Sequence, residues 1–170
     1  VSRMASLEIV LEKAASAYSE EEKLTLAERK NRYYVQLIRK LTDAAILPGV
    51  KETVIRLHEA GVLTAVASSS KNARLILTQV GLLDLFNAIV DGTQITKSKP
   101  DPEVFLKAAE LLHKNPQDCI VVEDADAGIA AAKSAGMYAV AVGNAHGGDL
   151  HYSGLDSVDL LELAVGEETK

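Results

Sequence analysis

Two adjacent carboxylates, Glu123 and Asp124, directly follow the apolar run Ile120-Val121-Val122 and precede a small-residue stretch that runs to Gly136. β-Branched residues leading into acids, then into a helix-like segment stopped by glycine, read as a buried parallel strand with carboxylates at its carboxyl end. Ligands of open α/β sheets bind at those ends. Paired carboxylate oxygens there suit a hard divalent cation. The same two residues also fit a plainer role, a helix N-cap beside a solvated acid.

Ser68-Ser69-Ser70-Lys71-Asn72 stands between a strand-like run ending at Ala67 and a helix-like run beginning at Ala73. Hydroxyls, backbone N–H groups at a helix start and a lysine make an anion site suited to phosphate oxygens, although a polar turn with an N-cap has the same composition. Lys99 lies in Ser98-Lys99-Pro100-Asp101-Pro102. The two prolines stiffen this loop and can hold the lysine in place, although a lone loop lysine is ordinarily a surface charge. The order of the three features raises them together, because each follows a successive strand and a parallel sheet brings such positions to one edge. A hydroxyl and a lysine can hold a phosphoryl group while carboxylates hold Mg²⁺, which is the arrangement of phosphoryl transfer.

The elements that must position these residues fall into two kinds. The stretch up to residue 44 contains no glycine or proline and spaces its apolar residues helically. Leu7, Ile9, Val10, Leu11 and Ala14 give one helix; Ser19 and Glu22 form a capping box opening a longer one, with Leu24, Leu26, Tyr34, Leu37 and Ile38 near its apolar side. Tyr33 and Tyr34 read as packing residues. Ile46-Leu47-Pro48-Gly49 marks a boundary between an incomplete helical segment, 1–45, and an α/β portion, 46–170. Beyond it, helices over Lys51 to Glu59, Ala73 to Val80, Glu103 to Leu112 and around Ala130 alternate with strands over Val62 to Ala67, Ala88 to Val90, Ile120 to Val122 and Tyr138 to Val142. That rhythm predicts a parallel sheet with helices on its faces. A Gly147-Gly148 loop and a closing helix over Val158 to Ala164 complete the pattern.

Composition excludes several function classes. With 24 acidic against 18 basic residues, a net charge of −6 and no basic block, the chain offers no track for a nucleic-acid backbone. No apolar run reaches membrane-spanning length, so no membrane partner is expected. The single cysteine, Cys119, precludes an internal disulfide and reads as a buried strand residue; with no basic-then-apolar signal at the start, a reducing, cytoplasmic setting is expected. His58 and His113 read as surface residues on helices, and His146 and His151 lie in a loop without a metal-ligand spacing.

Ser68, Lys99 and Glu123-Asp124, in that order after successive strands, resemble the second, third and fourth motifs of the haloacid dehalogenase superfamily. More narrowly, Val1-Ser2-Arg3, Arg29-Lys30-Asn31, Ala67 to Asn72, Ser98-Lys99-Pro100 and Glu123 to Ile129 resemble its β-phosphoglucomutase branch, to about Gly143. The resemblance implies a doubly wound, Rossmann-like α/β core with a helical cap. It implies that Ser68 and Lys99 hold the transferring phosphoryl group, that Glu123 and Asp124 serve a Mg²⁺ site, and that Arg3, Ser6, Lys30, Ser70, Lys71 and Asn72 bind a sugar phosphate. The implied reaction interconverts β-glucose 1-phosphate and glucose 6-phosphate through an aspartyl-phosphate and a sugar bisphosphate, in an enzyme that is a monomer when intact. The superfamily's first motif, an Asp-x-Asp on the first core strand, is absent: no such pair precedes the serine turn, and Asp124-Ala125-Asp126 follows the wrong strand. The chain is therefore expected to lack that strand and to be inactive by itself. A sugar-phosphate phosphatase on the same scaffold, or a non-catalytic phosphate-binding module, are the competing expectations.

Overall fold

The computed structural model describes residues 3–14 and 16–166; Val1, Ser2, Ala15, residues 167–170 and the side chain of Arg3 lie outside the described residues. Two helices come first, α1 (Arg3–Leu11) and α2 (Glu20–Ile38). The capping box forms as the sequence predicts: Glu22 N–H donates to Ser19 Oγ at 3.2 Å, and Ser19 N–H donates to Glu22 Oε2 at 2.7 Å. Lys23 ties the two helices together through Glu8 at 2.9 Å. Among the described residues of this segment, only Leu7, Ala27 and Ile38 are buried, while Ile9, Val10, Leu24, Tyr33, Tyr34 and Leu37 face solvent. The expected packing of the tyrosine pair is thus not observed. The main neighbours of α2 are α1 and α4, and most of its residues are exposed.

The α/β portion runs α3 (Val50–Glu59), β1 (Ala65–Ala67), α4 (Ala73–Gln79), β2 (Ala88–Val90), α5 (Glu103–Leu111), β3 (Ile120–Glu123), α6 (Asp126–Ser134), β4 (Tyr138–Val142), β5 (Leu150–Tyr152) and α7 (Leu160–Val165). All strand pairs are parallel, with Val66 opposite Ile89, Val121 opposite Ala139 and Ala141 opposite His151. The strands do not form one sheet. β1 pairs only with β2, and β3-β4-β5 form a second sheet. Among the described residues, therefore, one edge of β1 and one edge of β3 carry no ladder partner, a costly state for backbone donors and acceptors.

The two half-sheets nevertheless share one core. α5 packs on β1 and β2, α6 packs on β3 and β4, and the two helices touch. Val90, Val104, Phe105, Val121, Ile129, Met137 and Ala139 belong to a single buried cluster that spans both sheets. Apolar burial holds the halves together where backbone hydrogen bonds do not.

Three expectations are corrected. The first strand begins at Ala65, not Val62: Val62 N–H closes the end of α3 on Leu57 O at 3.0 Å, and Thr64 O is taken by Asn87 N–H at 2.9 Å. The loop after Val142 contains strand β5, because the chain returns to run parallel beside β4, where Asp149 N–H donates to Ala139 O at 2.7 Å and the Asp149 carboxylate accepts from Ala139 N–H at 2.8 Å. That backbone bond and the contact with Lys133 hold the Asp149 carboxyl below its usual range. His113 follows α5 in a left-handed conformation and is not on the helix itself. Among the described residues no helix is long and apolar enough to cross a membrane.

The loop between β2 and α5 is held by one carboxylate. Glu103 Oε2 accepts from Thr96 N–H and Thr96 Oγ1, both at 2.9 Å, and from Lys97 N–H at 2.7 Å, while Oε1 pairs with Lys107 at 2.9 Å. The Lys107 contact, followed by the backbone donors, lowers its pKa from 4.5 to about 2. A depressed carboxylate pKa stabilises the fold above the unfolded-state value and loses that contribution as pH falls through the folded-state value. Glu103→Gln is accordingly expected to show a constant stability deficit above pH 4.5 that closes as pH falls toward about 2. Urea midpoints across that range check this, and parallel curves for the two proteins would remove Glu103 from the account.

Candidate phosphoryl-transfer site

The carboxyl ends of β1, β2 and β3 each deliver a candidate residue. Ser68 follows β1 directly and its N–H continues the pairing by donating to Val90 O at 2.9 Å. The serine turn is then built from its own hydroxyls: Ser70 N–H donates to Ser68 Oγ at 3.1 Å and Asn72 N–H donates to Ser70 Oγ at 3.2 Å. Each hydroxyl oxygen accepts one bond, so its O–H remains to donate to an anion. Gly92, after β2, lies against this turn. A Cβ there would fall on Ser69 O, and Gly92 N–H donates to Ser70 O at 3.2 Å. Ser69 Oγ is buried without a partner.

Lys99 reaches from its loop into the space between the two half-sheets. Its ammonium donates to Ala67 O at the end of β1, 3.2 Å away, and to Glu123 Oε1 at the end of β3. Only 16% of the lysine side chain and 10% of the glutamate side chain are exposed. The Phe105 ring lies beneath the ammonium, its centroid 4.5 Å from Nζ. This lysine is not the surface charge that a loop lysine ordinarily is. A partly buried pair of this kind becomes strongly destabilising, by about 3–5 kcal/mol, when one partner is removed and the other charge is stranded.

Glu123 is turned toward Lys99 by the start of α6. The helix begins at Asp126, and the Glu123 carboxylate lies against Gly128 in its first turn, where an added Cβ would overlap it. Asp124 is exposed, and its carboxylate has no hydrogen-bond or ion partner among the described residues. The donor chemistry fits Mg²⁺, which takes one or two carboxylates and keeps waters or substrate oxygens for its other positions. Among the described residues no group of three or more His, Cys, Asp or Glu could form a closed cage.

The remaining candidates lie where α2 meets the α/β portion. Asn72 Nδ2 donates to Asn31 Oδ1 of α2 at 3.1 Å. Lys30 and Lys71 flank these two asparagines and are both exposed. Ser6 is half-buried on α1, and no hydrogen bond links it to the serine turn. Arg3 opens α1, but its side chain is outside the described residues. The sequence singled out the segment containing Asn31 without giving that residue a part. Phe105 escaped notice, and Glu103 and Gly128 were read only as a helix start and a motif residue, although all three fall within the first turn of the helix after a motif, where a side chain or a missing one bears directly on that motif.

Comparison with known proteins shows the family and the fold. Residues 2–136 match the haloacid dehalogenase-like hydrolase family. The chain belongs to that family. It is 48% identical over 145 residues to the β-phosphoglucomutase of Bacillus subtilis, a match covering 84% of this chain and 64% of that protein. The chain thus spans less than two thirds of that relative. The crystal structure of the β-phosphoglucomutase from Clostridium difficile superposes with a TM-score of 0.86 at 38% identity, over 96% of this chain and 77% of that one. Hexitol phosphatase B of Escherichia coli is 37% identical over 99 residues, 57% of this chain and 45% of that protein. Family membership and the parallel α/β architecture are therefore established for this chain.

Gly128→Ala tests the Glu123–Lys99 contact without touching either charge. The new methyl group displaces a flexible carboxylate end and no backbone, but parting the pair strands a partly buried ammonium, so the loss of stability is expected to approach that of a broken buried pair, about 3–5 kcal/mol. Phosphoryl transfer by a chain extended to the length of its relatives should fall at least about tenfold, or 1.4 kcal/mol in the barrier. Unchanged turnover would show that the contact does not matter to the reaction.

Proposed function

We propose that this chain carries the phosphate- and metal-holding part of a β-phosphoglucomutase that interconverts β-glucose 1-phosphate and glucose 6-phosphate. The observation that carries the reading is the Lys99 ammonium, held between the carboxyl ends of β1 and β3 where phosphoryl oxygens can reach it. In this reading Lys99 and the Ser68 hydroxyl bind the transferring phosphoryl group and offset the charge that develops on its oxygens. Asp124 and Glu123 would hold Mg²⁺, which when bound neutralises charge on the same oxygens. Ser70, Lys71, Asn72, Lys30 and Arg3 bind and orient the other phosphate of a sugar bisphosphate. The helical segment, residues 1–45, closes over the site as a cap and excludes water.

The nucleophilic and acid/base aspartates of this reaction are proposed to arrive on a further segment that fills the space between β1 and β3. Support comes from the unpaired strand edges and from the greater length of the relatives. Without that segment the chain is proposed to be inactive. A sugar-phosphate phosphatase is the second reading, favoured by the likeness to hexitol phosphatase B.

Lys71→Ala separates the two in the extended chain. A residue gripping only the non-reacting phosphate contributes binding energy to mutase turnover and none to hydrolysis of a small phosphate ester. Mutase kcat/KM should fall about a hundredfold, roughly 2.7 kcal/mol, with ester hydrolysis within about twofold. Equal losses in both assays would favour a single phosphate pocket and a phosphatase.

A further inference from the structure

We propose that Phe105 is a positioning residue for Lys99: the face of its ring fixes the ammonium so that one of its three N–H bonds is directed at the reacting phosphoryl group. The inference rests on the phosphoryl-transfer reading above and deepens it.

Phe105 is 5% exposed and belongs, with Val90, Val104 and Val121, to the buried cluster that joins the two half-sheets, so its ring is packed in place. It lies with its centroid 4.5 Å from Lys99 Nζ. An ammonium turned toward an apolar core loses hydration without recompense, unless the surface it meets attracts cations. An aromatic face does so through its quadrupole, and an aliphatic side chain of the same size does not. Two N–H bonds of Lys99 are already committed, to Ala67 O and to Glu123. With the ring covering the side toward the core, the remaining donor is left for the open end of the sheet.

The same helix also governs the backbone of the lysine. Phe105 N–H donates to Pro102 O at 3.0 Å, and Glu103, two residues before it, grips Thr96 and Lys97 in the loop that carries Lys99. Ring and lysine loop are thus fixed to the first turns of α5 and cannot drift apart independently. Among the described residues, Phe105 is the aromatic ring that faces the Lys99 ammonium.

The test uses shape-conserving replacements in the chain extended to the length of its relatives. Phe105 is replaced by 4-fluoro-, 3,5-difluoro- and 3,4,5-trifluorophenylalanine, which weaken the quadrupole stepwise while keeping the ring in place. Phe105→Leu is the aliphatic end of the series. The expected result is a graded fall in kcat for a small phosphate ester, reaching about tenfold at three fluorines, with KM within about twofold. A purely structural ring would give constant kcat across the fluorinated series, and that result overturns the proposal. Side-chain order of Lys99, read by NMR relaxation of its ε-methylene, is measured on the same proteins and needs no activity. If the extended chain transfers no phosphoryl group, stepwise loss of Lys99 order still upholds the positioning claim while the proposed function fails. Order that stays constant through the series overturns it.

Discussion

A charged ammonium held between two strand ends that do not pair with each other is the constraint on which the rest of the structure depends. Lys99 touches Ala67 O on one half-sheet and the Glu123 carboxylate on the other. Such a group is costly to bury alone, and its environment supplies an acceptor, an anion and an aromatic face in place of water. Each supplier is fixed by a different element: β1 for the carbonyl, α6 and Gly128 for the carboxylate, α5 for the ring. The hydrophobic cluster shared by the half-sheets keeps those elements in register although no ladder bonds cross between them. Burial here does more than stabilise, because it also sets the distance between the two ends that the lysine spans.

The helical segment meets this core through the Asn72–Asn31 hydrogen bond, beside the exposed Lys30 and Lys71. Its solvent-facing Leu24, Leu37 and Tyr34 show that α1 and α2 bury little of their own apolar surface. The proposed cap movement therefore has a polar contact to break and no large apolar interface to separate, which keeps such a motion inexpensive.

Much of this fold was legible because its signals are local. Ala88–Val90 and Tyr138–Val142 form strands at the limits their apolar runs mark, and the Ser19–Glu22 box opens α2 as its spacing requires. Strand β5 was not legible: at three residues it is too short for its alternation to stand out, and it owes its place to the loop that returns the chain to run parallel beside β4. The order of the site motifs could be read because a parallel sheet places successive carboxyl ends on one edge. Their pairing could not. That Glu123 meets Lys99, that Phe105 underlies it and that Asn31 meets Asn72 are contacts across the fold, set by packing between elements and not by any sequence period. The exposed tyrosines of α2 make the same point in reverse, since aromatic content alone does not say which face of a helix finds a neighbour.

The central claim is that the ends of β1 and β3 form one anion site through Lys99. A crystal structure of the chain extended to the length of its relatives, with Mg²⁺ and orthovanadate, tests it most directly. The account predicts vanadate between the two strand ends, with Lys99 Nζ and Ser68 Oγ within hydrogen-bond distance of its oxygens and Asp124 on the metal. Vanadate bound elsewhere, with Lys99 still satisfied only by Ala67 and Glu123, would contradict it.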